Sequence, residues 1–488
     1  MKPIRIELSP NDLWALGPEL VLLGFSLAVL LLGVFLKGER RRYTGYVSLF
    51  GYVCAFLPLL WERVGGQEAF FGMVSNDYFS LYFKVLVLTV GFLVVMVSLD
   101  FTVREGVAFG EYYALMMIAS VGMMLMASSV HMVSLFLGLE IMSLSIYALC
   151  GITREDPRSV EAAFKYFLLG AFASALFLYG MALLYSVSGS FHFKTMAEFF
   201  AENPFVLKAP LFLVGFSLFL LGFAFKLALV PLHMWTPDVY EGAPTPITAF
   251  MAAGVKAAAF AAFLRAMLSA FNAFPKGFEE LLWVLSVATM TVGNLIALKQ
   301  EDVKRMLAYS SIAHAGYILI GFIAGGERGQ AAVLFYLYAY AFMNVGAFTV
   351  VAALGRKGQP NTSLEAYAGV GFKRPLLSLA MAAFLFSLAG VPPTAGFMAK
   401  FYVFSAAVKA GYYWLAVLGV LNSAVAAYYY LRVLVYMYFR EPKEGIELGG
   451  VSLASILSLL LTLWGVFQLG IKPSEFLALA EQSIRAML

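Results

Sequence analysis

Charge is what this chain most lacks. Only 13% of its 488 residues are Asp, Glu, Lys or Arg, against 62% apolar, and its mean hydropathy is +0.84. Soluble domains carry about a quarter charged residues, so the shortfall falls on the side chains that would coat a hydrated surface, and most of this chain must face lipid. Cysteine is nearly absent too. Cys54 and Cys150 are too few for a four-thiolate iron–sulfur centre, a thiolate zinc site or a disulfide framework. The net charge of +4 comes without a basic block, which argues against a nucleic-acid partner. No GxGxxG follows a strand pattern and no Walker A run occurs, so neither a dinucleotide nor ATP has a seat. Any energy the chain uses must arrive from elsewhere.

What the sequence does hold is a succession of long apolar runs. A spanning helix takes about 20 residues, and stretches bounded by charge or turn residues give about fourteen candidates. They predict an all-α polytopic membrane protein. Spans 1 to 7 are expected at 15–36, 43–61, 78–99, 112–130, 131–152, 161–188 and 207–230. Spans 8 to 14 follow at 244–270, 281–298, 306–325, 330–354, 375–408, 412–439 and 449–471. An amphipathic tail, 475–488, reads as interfacial. Loops after odd-numbered spans, from Lys37 to Lys443, carry about sixteen Lys and Arg against about ten on the other side. The positive-inside rule then places both termini on the outer side of the membrane.

The chain compares with itself. Gly222-Phe-Ala-Phe-Lys226 in span 7 matches Gly396-Phe-Met-Ala-Lys400 in span 12, an offset of 400 − 226 = 174. Gly170-Ala-Phe172 in span 6 matches Gly346-Ala-Phe348 in span 11, an offset of 346 − 170 = 176. Both matches skip five spans, an odd number, so the second unit would run through the membrane inverted. The expected organisation is 1–110 for spans 1 to 3, 111–278 and 279–445 for the two inverted repeats, and 446–488 for span 14 and the tail. Gly390-Val-Pro-Pro393 should break span 12, and span 7, with Gly222 and Pro231, should break at the equivalent place.

Ionisable groups inside the spans are the exceptions that ask for a reason, because each costs about 2.5–3.5 kcal/mol at the bilayer centre. Glu140 (span 5), Lys226 (span 7), Lys256 (span 8), His314 (span 10) and Lys400 (span 12) lie near mid-span, and Lys165 lies a turn inside span 6. The offset of 174 sets His314 opposite Glu140. Each has a bland reading: Lys165 and Lys84 can snorkel to an interface, Glu140 can be a static counter-charge, and His314 can be hydrogen-bonded in the core. Three mid-span lysines with so few acids are harder to dismiss. Desolvation loosens a lysine's proton and a nearby carboxylate tightens it, so a chain of such groups with water between them can relay protons. The segment Pro231–Glu241, with His233, Asp238 and Glu241 but no Lys or Arg, suits a proton entrance or an ordinary stiffened loop. Lys299–Arg305 reads as a solvated turn, and Tyr428–Tyr430 as packing or an interfacial belt.

At these residues the chain carries a resemblance. The run Lys226–Pro246, KLALVPLHMWTPDVYEGAPTP, resembles the signature of the antiporter-like subunits of respiratory complex I and of the multisubunit cation/proton antiporters. FKYFLLGAFAS (Phe164–Ser174) and GFMAKFY (Gly396–Tyr402) are most similar to the subunit N family of proton-translocating NADH-quinone oxidoreductases. In subunit M the position of Lys400 is a glutamate, and subunit L has a long lateral helix after span 14 for which this chain has no room. The resemblance implies fourteen helices and a proton half-channel in each of two inverted five-helix units. It implies that Glu140 pairs with Lys165, that Lys226 and Lys400 sit at the two breaks, that Lys256 links the units, and that His233 and His314 assist proton entrance and central transfer. It also implies a place in a bacterial inner membrane beside other membrane subunits, antiporter-like ones included. FMN, iron–sulfur clusters and quinone would belong to partner subunits, none to this chain. The chain would be part of an enzyme only as a subunit, its pumping driven by quinone reduction elsewhere. The alternatives are a subunit of a cation/proton antiporter or membrane-bound hydrogenase, and a structural membrane anchor.

Overall fold

Backbone N–H and C=O groups have no water to bond in a bilayer core, so the apolar runs must satisfy them internally as helices. In the computed structural model, which describes residues 10–61, 67–271, 277–442 and 447–487, nearly all of them do. Among the described residues, twelve helices are long and apolar enough to cross a membrane, and two shorter apolar ones, Pro210–Lys226 and Pro375–Ala389, stand where spans 7 and 12 were expected to break. A small antiparallel hairpin, Gln67–Ala69 with Val74–Asn76, lies between spans 2 and 3. The chain is thus an all-α multi-pass membrane protein. Lys443 and the boundary at 445/446 lie outside the described residues.

The layering follows from composition around each helix. Span 8 (Thr245–Ala270) and span 10 (Val303–Ala324) are buried along their whole apolar windows, and span 11 (Gly326–Leu354) nearly so. Span 1 (Gly17–Phe35) and span 6 (Pro157–Ser188) bury only about a third or less and turn Leu31, Phe35, Phe164 and Phe172 outward. Helices apolar all round go to the centre, and the central trio carries Lys256 and His314. Span 8 also contains a π-helical turn, Met251–Val255, directly before Lys256. Such turns shift the register of the side chains that follow them. The tail is a helix, Pro473–Arg485, that packs on spans 3 and 11 with Ala480 and Ile484 buried.

The span 12 break falls at Gly390–Pro393 as expected, and the span 7 break falls after Lys226 rather than at Gly222. Span 7 stays helical through Gly222 to Lys226, turns through Leu227–Met234 with Ala228 at φ +58°, and resumes at Trp235–Gly242. Gly222 therefore serves packing rather than interruption: a Cβ there would meet the Phe177 ring of span 6. Span 12 stops at Ala389 with Gly390 at φ +93°, a left-handed helix end that suits glycine, and resumes at Ala395–Lys409. The break follows Lys226 but precedes Lys400.

Two buried ion pairs that composition did not suggest hold the N-terminal spans, one joining span 1 to span 3 and the other joining the start of span 3 to span 8. Lys84 does not snorkel: it is buried, donates to the Ala15 carbonyl at 2.6 Å and lies 3.2 Å from Glu19 of span 1. Arg265 of span 8 makes a bidentate pair with Asp77 at 2.6 and 2.8 Å and also donates to the Ala127 carbonyl and Ser80 Oγ. Asp77 in turn caps span 3 by accepting from Ser80 N–H at 2.7 Å. A fully buried guanidinium is tolerable only with its donors matched in this way.

Candidate functional site

Span 5 (Met132–Cys150) sets Glu140, Ser143 and Tyr147 on one face by helical spacing. Lys226, the last residue of its helix, reaches that face and donates to Ser143 Oγ at 2.7 Å and Tyr147 Oη at 3.3 Å. Its ammonium lies 5.3 Å from the ring centres of both Tyr147 and Tyr166, within cation–π range. Glu140 sits one turn up the same face, accepts from Ser174 Oγ at 2.5 Å, and acts on Lys226 through space.

Lys165 is placed elsewhere than expected. It does not pair with Glu140 but donates to Asp238 at 2.6 Å and Glu161 at 2.7 Å, with 40% of its side chain exposed. Arg305 joins the group, bonding Asp238 at 2.9 Å and Glu241 at 2.6 Å. The segment Pro231–Glu241, free of cations in sequence, is therefore neutralised by cations from spans 6 and 10. His233 stands apart from this cluster, and its Nδ1 is buried with no hydrogen-bond partner among the described residues. Lys299–Arg305 is only partly a solvated turn: Lys304 is buried and donates to the Ala243 carbonyl at 2.7 Å. Burial pushes the neighbouring Asp302 carboxyl up from its ordinary range, against hydrogen bonds from Thr362 and the Arg305 N–H.

The centre is organised by span 10, whose Ser310, Ser311, His314 and Tyr317 fall on adjoining faces. Lys256 donates to the carbonyl and, at 2.6 Å, to the hydroxyl of Ser311. One turn on, His314 bonds Tyr336 Oη at 2.8 Å through Nδ1 and Tyr430 Oη at 3.2 Å through Nε2. Tyr430 also bonds Ser310 at 2.5 Å, and its neighbour Tyr429 donates to Asn294 at 3.0 Å. Of the tyrosine triplet, only Tyr428 is exposed, as a belt residue would be. Tyr317, another turn along, presents its ring 5.0 Å from the Lys400 ammonium. Lys400 donates to the Leu388 and Ala389 carbonyls, both at 2.9 Å, and to Ser423 Oγ at 2.7 Å.

Lys226, Lys256, His314 and Lys400 are at most 4% exposed. Each has a hydroxyl or phenol within hydrogen-bond reach or against its charge, the kind of group that can both accept and donate a proton. Among the described residues no hydrogen bond joins Lys226 to Lys256 directly; beside Lys226, Tyr166 stacks on Trp235 at 4.4 Å, and the Trp235 ring lies 6.3 Å from that of Tyr240. Among the described residues no group of three or more His, Cys, Asp or Glu side chains comes together as a metal site would need. Sequence reasoning missed Ser311, Tyr336 and Tyr430. The signal available was position: Ser311 and Tyr336 lie on the central spans 10 and 11, and Tyr430 on the buried face of span 13, where apolar runs leave few other polar atoms to meet the buried charges.

The sequence profile of the family described as "NADH:quinone oxidoreductase/Mrp antiporter, TM" matches residues 129–426. The NADH-quinone oxidoreductase subunit N of Trichlorobacter lovleyi is 48% identical over 96% of each chain. Among solved structures, a chain of the respiratory complex I from Thermus thermophilus with bound aureothin is 37% identical, covers 94% of this chain and 98% of its own, and superposes with a TM-score of 0.79. A chain of an archaeal membrane-bound sulfane sulfur reductase, a respiratory membrane complex, is 26% identical over 98% of each chain with a TM-score of 0.84.

Proposed function

From membership in the NADH:quinone oxidoreductase/Mrp antiporter transmembrane family, to which this chain belongs, we propose that it carries protons across the membrane as a subunit of an NADH-quinone oxidoreductase. The observation that carries this reading is the buried row of Lys226, Lys256, His314 and Lys400, each set against a hydroxyl or phenol. A static core has little reason to bury so many basic groups, since each costs several kcal/mol on insertion scales, roughly 2.5–3.5 kcal/mol for a lysine.

In this reading protons arrive through a cavity of about 500 Å³ lined by Asp156, Glu241 and Lys304, beside the Asp238–Lys165–Arg305 cluster. Lys226 takes a proton with Glu140 as its counter-charge, and Lys256, His314 and Lys400 pass it on through Ser311, Tyr336, Tyr430 and intervening water. A change in the separation of Glu140 from Lys226 alters the proton affinity of the lysine and so pushes charge along the row. His233 serves the entrance. The units 111–278 and 279–445 act as two inverted half-channels. Four spans lie between the broken helices, so span 12 runs opposite to span 7, and both breaks fall on one side of their lysines. That side is cytoplasmic, with both termini outside. FMN, iron–sulfur clusters and the quinone that drives the cycle are held by partner subunits in a bacterial inner membrane.

The test is Lys226→Ala in the assembled complex reconstituted in vesicles. With assembly and quinone reduction intact, proton uptake should fall by about a hundredfold, the lower edge of what a positioned proton-transfer group contributes. Unchanged uptake refutes the relay and leaves a membrane anchor. The related antiporters keep a second reading in view, sodium transport. Uptake that depends on sodium, with no flavin or iron–sulfur arm in the purified complex, selects it.

A further inference from the structure

Four chain segments meet at one edge of the protein around an open cavity of about 710 Å³. Arg104 ends span 3 (Tyr78–Glu105), Arg356 and Lys357 follow span 11, Lys373 and Arg374 precede span 12, and Glu447 lies just before span 14 (Leu453–Ile471). Five cations and one carboxylate line the cavity, and a second carboxylate, Glu105, pairs with Arg104 at 3.1 Å. Three of the cations have structural work: Arg104 also donates to the Ala352 carbonyl at 3.1 Å, Arg374 donates to the Gly449 carbonyl at 3.2 Å, and Arg356 pairs with Glu447. The side chains of Lys357 and Lys373 make no hydrogen bond or ion pair among the described residues. Lys357, Lys373 and Arg374 are left without a carboxylate partner among the described residues, and an anion seated among them relieves their mutual repulsion.

The cavity's place says which anion. It opens at the ends of membrane spans, and just below it spans 12 and 14 pack together while turning Leu376, Leu379, Leu453 and Leu457 outward. Leu376 is 82% exposed and Leu453 71%, although both belong to apolar helices that begin at the cavity rim. A ligand that fits both features has a phosphate at one end and hydrocarbon at the other. We propose that this cavity binds the phosphate of an anionic phospholipid whose acyl chains lie along the groove between spans 12 and 14. Basic pockets between spans are suited to such headgroups, and a surface cation contributes about a fivefold increase in affinity for an anionic leaflet. The site shares Arg104, Arg356 and Lys357 with the 500 Å³ cavity beside Glu241. A bound lipid would therefore also fix the ends of spans 3 and 11 that line that second cavity.

The experiment is lipid retention by the full chain in its purified complex, delipidated and then exchanged against vesicles of phosphatidylglycerol or of phosphatidylcholine, with bound lipid read by native mass spectrometry. Phosphatidylglycerol should be retained in preference. The double variant Lys357→Gln/Lys373→Gln, which spares the three structural arginines, should lower that retention by about 25-fold, two factors of five. Lys357→Arg/Lys373→Arg, which keeps the charge, should restore it and shows that a loss is not misfolding. Equal retention of the two lipids, or undiminished retention by the Gln variant, overturns the proposal. Displacement of the lipid by millimolar inorganic phosphate also overturns it, in favour of a free-phosphate site. Protection of Lys357 and Lys373 from amine labelling in the delipidated complex overturns it in favour of an acidic partner segment.

Discussion

Lys226 and Lys400 end the same five-residue motif, Gly-Phe-x-x-Lys, yet the protein holds them by different chemistry. Lys226 lies before its break, at a helix C-terminus, and its acceptors are the side-chain oxygens of Ser143 and Tyr147, with Glu140 on the same face. Lys400 lies after its break, and its acceptors are two carbonyls that the broken helix leaves without intrahelical donors, plus Ser423. The span 7 break spends its comparable carbonyl differently: Phe225 C=O accepts from Trp235 Nε1 at 3.0 Å. One lysine is thus set in a rearrangeable hydroxyl environment with a counter-charge, while the other also completes the backbone of a helix end. A repeated motif fixes where a charge sits along a helix; the neighbouring helices fix what that charge holds together.

That contrast can be broken by measurement. Lys400→Ala leaves the Leu388 carbonyl without its donor and the Ala389 carbonyl with only Ser423 Oγ at 3.3 Å, and a buried unsatisfied group costs about 1–3 kcal/mol. It should destabilise the detergent-solubilised chain by about 1–3 kcal/mol in thermal unfolding, more than Lys226→Ala, whose hydroxyl partners can turn to other acceptors. Equal losses would show that the two sites are held alike. Glycine should sharpen the same difference. A Cβ on residue 396 meets the Ser387 backbone, whereas one on residue 222 meets the movable Phe177 side chain. Gly396→Ala is therefore expected to cost about 1–3 kcal/mol and Gly222→Ala less, since overpacking is relieved by side chains more readily than by backbone.

Smaller effects are expected where the two regions communicate. Tyr430→Phe removes a hydroxyl shared by Ser310 and His314 and should cost about 1 kcal/mol, with proton uptake lowered several-fold. Uptake identical to the parent would remove Tyr430 from the path. Lys165→Gln should be the mildest, changing stability by less than about 1 kcal/mol, because an ion pair with 40% of the lysine exposed is largely screened. A large loss of stability there would mean that the Asp238 cluster is structural rather than a solvated entrance.

The membrane class, the all-α fold, the vicinity of the two breaks and the mid-span positions of Lys226, Lys256, His314 and Lys400 could be read from the sequence. They follow from one-dimensional quantities: run length, proline and glycine placement, and the rarity of charge in apolar stretches. Partnerships could not be read this way. Lys165 was expected at Glu140 and bonds Asp238 instead, 73 residues away in sequence. Arg265 drew no notice in an alanine-rich run, yet it is matched bidentately with Asp77, 188 residues distant. The same holds for Lys84 with Glu19, and for Tyr430 with His314.

The sequence by itself determined that lipid is the solvent and that a few ionisable groups must be housed within it, because insertion free energy is nearly additive along a helix. Only the tertiary structure decided which oxygen each cation meets and which face of each helix turns to its neighbours. Hydrogen bonds reach about 3 Å and depend on packing between spans far apart in the chain, and that information no single run of residues contains.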